Sequence, residues 1–244
     1  MTALQERLRA IGVTLGIGFG SFVVGAVLLS VVSQTLSTVG IHLQNRPALR
    51  LGLSTVLLQG VAFGGVALVY LRISEKSVGF IQVRMPTRRD LGWFIGGLIT
   101  LLITVRALSA IITYLGFEQA TNQIIEVGQE APVVFLVLIP LSFLLVGPGE
   151  ELLHRGVIQG TLRESFHPAR AIILASLIFA MVHVFSLQGS GKLVYIGVVF
   201  TLALVLGVAY ELTDNLAVPA LIHGAYNAVQ FGLAYYTVTQ GAAL

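Results

Sequence analysis

The sequence predicts an all-α fold, a polytopic bundle of about seven transmembrane helices, with an eighth allowed, that forms a single integral membrane domain over residues 1–244. Two features of composition indicate a membrane protein. Hydrophobic residues make up 56% of the chain and charged residues only 10%, whereas soluble domains carry roughly 25% charged residues. The mean hydropathy is +0.91. The third indication is a series of apolar runs, each long enough to cross a bilayer.

Each predicted span is an apolar run of the ~20 residues that a helix needs to cross a hydrocarbon core about 30 Å thick. The first run is too long for the apolar region of a cleaved signal peptide and lacks a small-residue cleavage site, so we expect it to be retained as a helix. By the same length rule, spans are expected at residues 12–36, 49–71, 91–115, 133–160, 170–187, 192–211 and 216–237.

The charges of the connecting loops predict the orientation of the bundle. The loop from Arg72 to Arg89 carries five basic residues, whereas the loop from Gly116 to Glu130 carries three acidic residues and no basic one. Because short cytoplasmic loops are enriched in Lys and Arg, the first loop is expected in the cytoplasm. Alternation then predicts a multi-pass protein of the cell membrane with a cytoplasmic N-terminus, although Arg46, Arg50 and Lys192 oppose this trend.

Composition also excludes several kinds of site. Cysteine is absent, which excludes disulfides, thiolate nucleophiles and Cys-ligated zinc, so any metal would need His and carboxylate ligands. The basic residues lie in short loops between apolar runs rather than along one solvated face. Topology therefore explains the pI of about 9.4, and membrane lipid rather than nucleic acid is the expected partner.

Four ionisable residues lie inside the fourth predicted span: Glu150, Glu151, His154 and Arg155. An isolated charge at the centre of a bilayer costs at least ~2.5 to 3.5 kcal/mol, so this cluster indicates a functional site. Residues four apart share a helix face, and Glu151 is therefore expected to form a structural ion pair with Arg155. Glu150, stacked over His154 and beside a like charge, is the candidate base that takes and returns protons. The alternative is a buried salt-bridge network that only joins helices.

A second cluster runs from Phe179 to His183 in the fifth span, after a polar turn that contains the helix breaker Pro168. Counting from this turn gives ~16 residues to Glu150 and ~14 residues to His183, or ~24 and ~21 Å at 1.5 Å per residue. The two side chains are therefore expected at one level across a helical hairpin. Taken alone, His183 is equally well explained as a hydrogen-bonded core residue.

The third cluster runs from His223 to Asn227, just after Pro219 opens the last span. His223 and Asn227 are four residues apart and share a helix face, so both can point at one centre. A neutral Asn donor beside a His can hold a developing oxyanion in a dry site. Taken alone, Asn227 is equally well explained by a helix–helix hydrogen bond. Three spans that each bring His, Glu or Asn to membrane depth favour a shared site over coincidence.

Together, the three clusters resemble the signature of a known family. Glu150–Arg155 (EELLHR) matches an EExxxR motif, Phe179–His183 (FAMVH) matches FxxxH, and His223–Asn227 (HGAYN) matches HxxxN. Their order and approximate spacing are similar to those of the CPBP family of intramembrane proteases, also called the Abi or type II CAAX prenyl endopeptidase family. The resemblance covers about residues 132–230, where the motifs lie, and the first half of the chain matches only as generic membrane helices.

The resemblance implies an intramembrane endopeptidase that hydrolyses peptide bonds of membrane-associated proteins or peptides, a class that includes prenylated CAAX substrates. It assigns activation of the hydrolytic water to Glu150 and orientation of that water to His183. It assigns stabilisation of the oxyanion to His223 and Asn227, and a supporting role to the Glu151–Arg155 pair. Prokaryotic relatives are associated with peptide processing, bacteriocin self-immunity or regulated proteolysis.

Two mechanisms are compatible with the resemblance, because the family has been described both as metalloproteases and as metal-free glutamate proteases. Glu150, His183 and His223 would make a two-His, one-carboxylate zinc set with an open position for water, to which His154 could add a ligand. A buried Glu and two His already suffice to activate water and bind an oxyanion. We therefore expect no cofactor, with zinc as the alternative.

Rival functional classes share the same residues. Buried Glu and His also relay protons in proton-coupled transporters, and a non-catalytic scaffold or immunity factor would not need Glu150. Transporters usually have broken helices in both halves, whereas these motifs occur only in the second half. Hydrolysis needs a path for water, and Gly147–Gly149, with Pro148 at its centre, is expected to loosen or kink the fourth helix. Arg106, in the third span, is expected to neutralise a site carboxylate, bind a substrate carboxylate or snorkel.

Overall fold

The computed structural model describes residues 2–241, which form an α-helical bundle with one small antiparallel sheet of two strands. The strands are β1 (Thr121–Asn122) and β2 (Leu187–Gln188). The α-helices are α1 (Ala3–Thr38), α2 (Pro47–Thr55), α3 (Phe63–Ile73), α4 (Arg88–Tyr114), α5 (Gln123–Glu130), α6 (Val133–Leu141), α7 (Gly147–Glu151), α8 (Gly160–Arg163), α9 (Pro168–Val182), α10 (Lys192–Thr213) and α11 (Ala217–Thr239).

Within residues 2–241, six helical segments are long and apolar enough to cross a membrane. They are Ala3–Thr38, Pro47–Ile73, Arg88–Tyr114, Val133–Arg163, Pro168–Ser186 and Lys192–Thr213. The seventh predicted span forms α11, which has 23 residues but is less apolar because it carries the HxxxN motif and other polar side chains. The predicted all-α membrane bundle is confirmed, and the chain is a multi-pass membrane protein.

Capping residues extend two of the spans beyond the predicted apolar runs. The first helix begins at Ala3 rather than near residue 12, because Thr2 and Gln5 form a capping box: each side chain accepts a hydrogen bond from the other residue's backbone N–H. Thr87 and Asp90 form the same arrangement at the start of α4. Hydrophobicity alone therefore underestimates the lengths of these two helices.

The fourth span is helical throughout, as predicted, but it is not a regular α-helix. π-helical segments, Ser142–Val146 and Leu152–Gln159, flank the short helix α7 on both sides. Pro148 has no N–H to donate to the preceding turn, so the regular i to i−4 ladder cannot run through this region. Gly147–Gly149 themselves lie in α7 and are closely packed, and the departures from a regular α-helix occur on either side of them, as π-helical segments of the kind that frequently occurs at functional sites.

Charged contacts join the loops at one end of the bundle. Arg84 Nη1 lies 2.5 Å from Asp90 Oδ2, and the hydrogen bond to Asp90 raises the pKa of Arg84 above its usual value. The same guanidinium donates to the Thr213 carbonyl at 3.0 Å, and the backbone N–H of Arg84 donates to Asn215 Oδ1 at 3.1 Å. The loop before α4 is therefore fastened to the turn between α10 and α11.

The opposite end of the bundle carries β1, β2 and α5. Asn122 Nδ2 donates to Ser186 Oγ at 3.2 Å, and its side-chain oxygen accepts from the Ile124 N–H, which caps α5. Glu118 accepts a hydrogen bond from Ser190. These contacts tie the segment before the fourth span to the end of the fifth span. The sequence did not predict this sheet, since each strand has only two residues.

Candidate active site

Two glycines allow α11 to approach the fourth span at backbone distance. A Cβ atom added at Gly224 would lie 2.8 Å from the carbonyl oxygen of Ser142, and one added at Gly147 would lie 2.5 Å from the carbonyl oxygen of Ala220. A larger residue at either position would push the two helices apart, as is usual for small residues at membrane helix contacts. This close contact brings the HxxxN motif of α11 against the EExxxR motif.

A cavity of about 580 Å³ lies between these helices and extends toward the end of the bundle that carries β1 and β2. All four side chains predicted to be catalytic line it: Glu150, His183, His223 and Asn227. The three motifs are distant in sequence and lie on three different helices, yet they line one cavity. Their similar depth within the predicted spans is consistent with this arrangement. Other polar side chains that line the cavity are Gln59, Arg106, Ser109, Asn122, Ser186, Tyr195, Tyr226 and Gln230.

The two adjacent acids have different surroundings. The Glu150 side chain is 11% exposed and faces the cavity, whereas the Glu151 side chain is fully buried. Glu150 Oε2 lies 4.0 Å from His223 Nε2. Because only Glu150 reaches the cavity, only this acid can meet a water molecule or a substrate there.

Glu151 contacts two partners at once. Its Oε1 accepts a hydrogen bond from His223 Nδ1 at 2.9 Å, and its Oε2 lies 3.2 Å from Arg155 Nε without the alignment of a hydrogen bond. Arg155 is itself fully buried, donates to the Ala203 carbonyl at 3.1 Å and lies 5.0 Å from the centre of the Phe179 ring. The predicted ion pair is present, and Glu151 also turns Nε2 of His223 toward Glu150.

His183 and Asn227 present polar groups to the same cavity. Nδ1 of His183 donates to the Phe179 carbonyl at 2.7 Å. In the neutral ring, Nε2 is then the acceptor. Asn227 lies one helical turn after His223 and is partly exposed. The site therefore combines a carboxylate, an imidazole acceptor and an amide donor.

His154 faces away from the cavity. Its ring is 1% exposed, and its Nδ1 donates to the backbone carbonyl of Glu150 at 2.8 Å. The ring packs edge-on against Phe63 and Phe179, with 6.1 and 4.8 Å between ring centres. His154 thus lies one turn after Glu150, but its ring packs between the aromatic side chains and does not line the cavity that Glu150 faces.

The positions of the donor atoms test the zinc alternative. Glu150, His183 and His223 line one cavity, but within residues 2–241 no three His, Asp or Glu side chains are arranged to share one metal ion. His154, the possible additional ligand, is packed against Phe63 and Phe179 instead. The arrangement therefore does not fit a three-ligand zinc site of the predicted composition.

Gln59 contacts the candidate base and was missed in the sequence. It lies in the π-helical segment Val56–Ala62 of the second span, and its Nε2 donates to Glu150 Oε1 at 3.4 Å. A Cβ atom at Gly149 would overlap the carbonyl oxygen of Gln59, so this glycine permits the contact. In the sequence, Gln59 stands out only as a single amide side chain inside the apolar run VLLQGVA. That pattern does not show which residue the amide contacts.

Comparisons with known proteins agree with the motifs. Residues 132–229 match the family described as type II CAAX prenyl endopeptidase Rce1-like. The chain is 27% identical over 179 residues to the membrane-embedded CAAX protease MroQ of Staphylococcus aureus (strain USA300). The aligned region covers 68% of this chain and 67% of that protein. No solved structure matches the chain. The resemblance to the CPBP family is therefore confirmed: residues 132–229 match the CAAX prenyl endopeptidase family model, and about two thirds of the chain is similar to a membrane-embedded CAAX protease.

Proposed function

We propose that the chain is an intramembrane endopeptidase in which Glu150 activates the hydrolytic water. The observation that carries this proposal is the meeting of Glu150, His183, His223 and Asn227 in one cavity at membrane depth. A carboxylate with a neighbouring imidazole supplies general-base catalysis, and preorganised donors supply oxyanion stabilisation. The resemblance to CAAX proteases supports the same reaction class.

In the proposed reaction, Glu150 takes a proton from water as the water oxygen attacks the carbonyl carbon of the scissile bond. Nε2 of His183 accepts a hydrogen bond from the other O–H of that water and orients it. The carbonyl oxygen becomes an oxyanion held by His223 and Asn227. Glu150 then gives its proton to the leaving amide nitrogen as the C–N bond breaks, which regenerates the carboxylate and balances the protons.

His223 can donate to an oxyanion only when Nε2 carries a proton. Its Nδ1–H is already used by Glu151 at 2.9 Å, so a donor at Nε2 requires the imidazolium form. Glu151 on one side and Glu150, 4.0 Å away, on the other place two carboxylates around this ring. We infer that this pair of acids keeps His223 in its donor form.

Cleavage assays with the purified protein test the proposal. Glu150→Gln should keep the fold and abolish cleavage of a panel of lipidated and unlipidated membrane peptides, and cleavage retained by this variant would remove Glu150 from the mechanism. The prenylated members of the panel test whether a CAAX-type lipid is required. We expect activity to survive a chelator, and its loss on chelation with recovery on adding zinc would support the metal-dependent alternative.

We further propose that the protein lies in the cell membrane with a cytoplasmic N-terminus, in contact with lipid. The basic loop that includes Arg72 and Arg84 supports this orientation. Because the chain has no cysteine, single Cys residues can be introduced without background. A Cys in place of Ser77 should be protected from an impermeant thiol reagent in intact cells, and one in place of Gln119 should react; the reverse pattern would invert the orientation.

A further inference from the structure

A second cavity lies at the end of the bundle opposite β1 and β2, apart from the candidate active site. It has a volume of about 460 Å³ and lies between the start of α1, the end of α3 and the end of the fourth span. The apolar parts of three membrane-spanning segments end at this level. The cavity therefore lies where lipid headgroups surround the protein.

Helix α1 lines this cavity with three kinds of side chain in a fixed order. Counted from the N-terminus into the membrane, they are the acid Glu6, the cation Arg9 and the apolar Val13. Residues three or four apart share a helix face. At 1.5 Å per residue, Arg9 lies ~4.5 Å beyond Glu6 along the helix axis, and Val13 lies ~6 Å beyond Arg9. This wall of the cavity therefore changes from negative to positive to apolar toward the bilayer.

The charges of Glu6 and Arg9 are available to a ligand. Within residues 2–241, neither side chain takes part in an ion pair. The other two charged side chains that line the cavity, Lys76 and Glu164, are paired with each other. A ligand that carries a negative and a positive group would match the two charges on α1.

We propose that this cavity binds a phospholipid whose headgroup carries both a phosphate and a primary ammonium, as in phosphatidylethanolamine. In a bilayer the phosphate lies next to the acyl chains and the ammonium lies nearer to water, which is the order of the charges along α1. Arg9 binds the phosphate, Glu6 binds the ammonium, and an acyl chain packs against Val13 and Ile73. This site is separate from the proposed protease reaction and does not rest on it.

Two features favour a primary ammonium over other headgroups. A primary ammonium has three N–H donors, which the Glu6 carboxylate and nearby hydroxyls such as those of Tyr70 and Ser74 can accept. Quaternary ammonium groups bind in cages of several aromatic rings, whereas within residues 2–241 only one aromatic side chain, Tyr70, lines this cavity. A glycerol headgroup has no positive charge to pair with Glu6.

Native mass spectrometry of the full-length protein in detergent measures this binding. Three phospholipids with identical acyl chains and with ethanolamine, choline or glycerol headgroups are added one at a time. We expect one ethanolamine lipid to be retained, with a Kd roughly tenfold below those of the other two, as for a hydrogen bond to a charged group. Equal affinities for the three headgroups, or a tighter glycerol lipid, would overturn the proposal.

Substitutions assign the two charges to the two groups of the lipid. Arg9→Gln should weaken all three lipids by a similar factor, roughly tenfold, because all three carry the phosphate. Glu6→Gln should remove the preference for ethanolamine. The matched controls Arg46→Gln and Glu126→Gln, at exposed positions near the opposite end of the bundle, should change neither property. Wild-type affinity in Arg9→Gln, or wild-type preference in Glu6→Gln, would contradict the assignment.

Two further measurements identify the ligand and its place. Inorganic phosphate in large excess should not displace the ethanolamine lipid, because it has neither an ammonium group nor an acyl chain; displacement would make this a site for a soluble anion. The Glu150→Gln protein should bind the lipid as the wild type does, because Glu150 lies in the other cavity. A lost preference in that variant would place the lipid in the candidate active site and overturn the proposal.

Discussion

Replacing Glu151 with Gln tests whether this acid stabilises the fold by pairing with Arg155, whereas Glu150 is the proposed base. The substitution keeps the shape of the side chain but removes the carboxylate that lies 3.2 Å from the fully buried Arg155, which also contacts the Ala203 carbonyl and the Phe179 ring. An amide oxygen cannot balance this charge. We therefore expect Glu151→Gln to destabilise the protein, whereas Glu150→Gln, at the cavity surface, should have little effect on stability.

The magnitude follows from the burial of the pair. Removing one partner of a buried ion pair costs about 3–5 kcal/mol, because the other charge is left uncompensated. The Gln oxygen can still accept one hydrogen bond, which offsets about 0.5–1.5 kcal/mol. The net loss of ~2 to 4 kcal/mol corresponds to ~4 to 16 °C in the midpoint of thermal unfolding for a chain of this size.

Thermal unfolding of the purified variants in detergent, followed by circular dichroism, measures this difference. The double variant Glu151→Gln/Arg155→Met should be more stable than Glu151→Gln alone, because it removes the guanidinium charge that the single variant leaves unpaired, while the Gln oxygen still accepts from His223 Nδ1 in both proteins. A midpoint for Glu151→Gln within about 1 °C of the wild type would refute the reasoning, given the expected ~2 kcal/mol or more. Equal destabilisation by Glu150→Gln would refute it as well.

Three further substitutions examine the cavity wall and the helix contacts. Asn227→Ala should lower kcat by about 10² to 10³ without loss of stability, as expected for an oxyanion donor, and an unchanged kcat would assign the residue to packing. Gln59→Leu should lower kcat about tenfold with an unchanged KM, because Glu150 loses the donor that positions it; a parallel rise in KM would indicate a substrate contact instead. Gly149→Ala should cost about 1–3 kcal/mol in an unfolding assay, because the new methyl group meets the Gln59 backbone. The control Gly16→Ala, whose added Cβ has no neighbour within 4 Å, should be neutral.

The meeting of the three motifs could be predicted because the number of residues along a helix gives the distance along its axis, and therefore the depth of each side chain in the membrane. A fixed rise per residue places Glu150 and His183 at one level on either side of the Pro168 turn. Burial of four ionisable residues in an apolar run likewise indicated a site. These inferences need only distance along a helix, which a sequence supplies.

Contacts that depend on helix rotation could not be predicted in the same way. The bond from Gln59 to Glu150 joins residues 91 apart, and that from His223 to Glu151 joins residues 72 apart. Their formation depends on which face each helix presents, and this is set by backbone contacts such as that at Gly224. The π-helical turns rotate the faces further, and the sequence does not reveal that His154 packs against Phe63 and Phe179.

In the proposed reaction, the charges around His223 allow a proton to move within the cavity without a change in net charge. Glu150, Glu151, Arg155 and an imidazolium at His223 sum to zero, whereas a neutral His223 would leave one uncompensated negative charge, which low dielectric disfavours. When Glu150 takes a proton from water, its negative charge is replaced by that of the oxyanion forming in the same cavity. The imidazolium, held by Glu151, faces negative charge both before and after this step. In the proposed reaction, Glu151 therefore has two roles: it pairs with Arg155, and it fixes the His223 donor that the transition state requires without contacting the substrate itself.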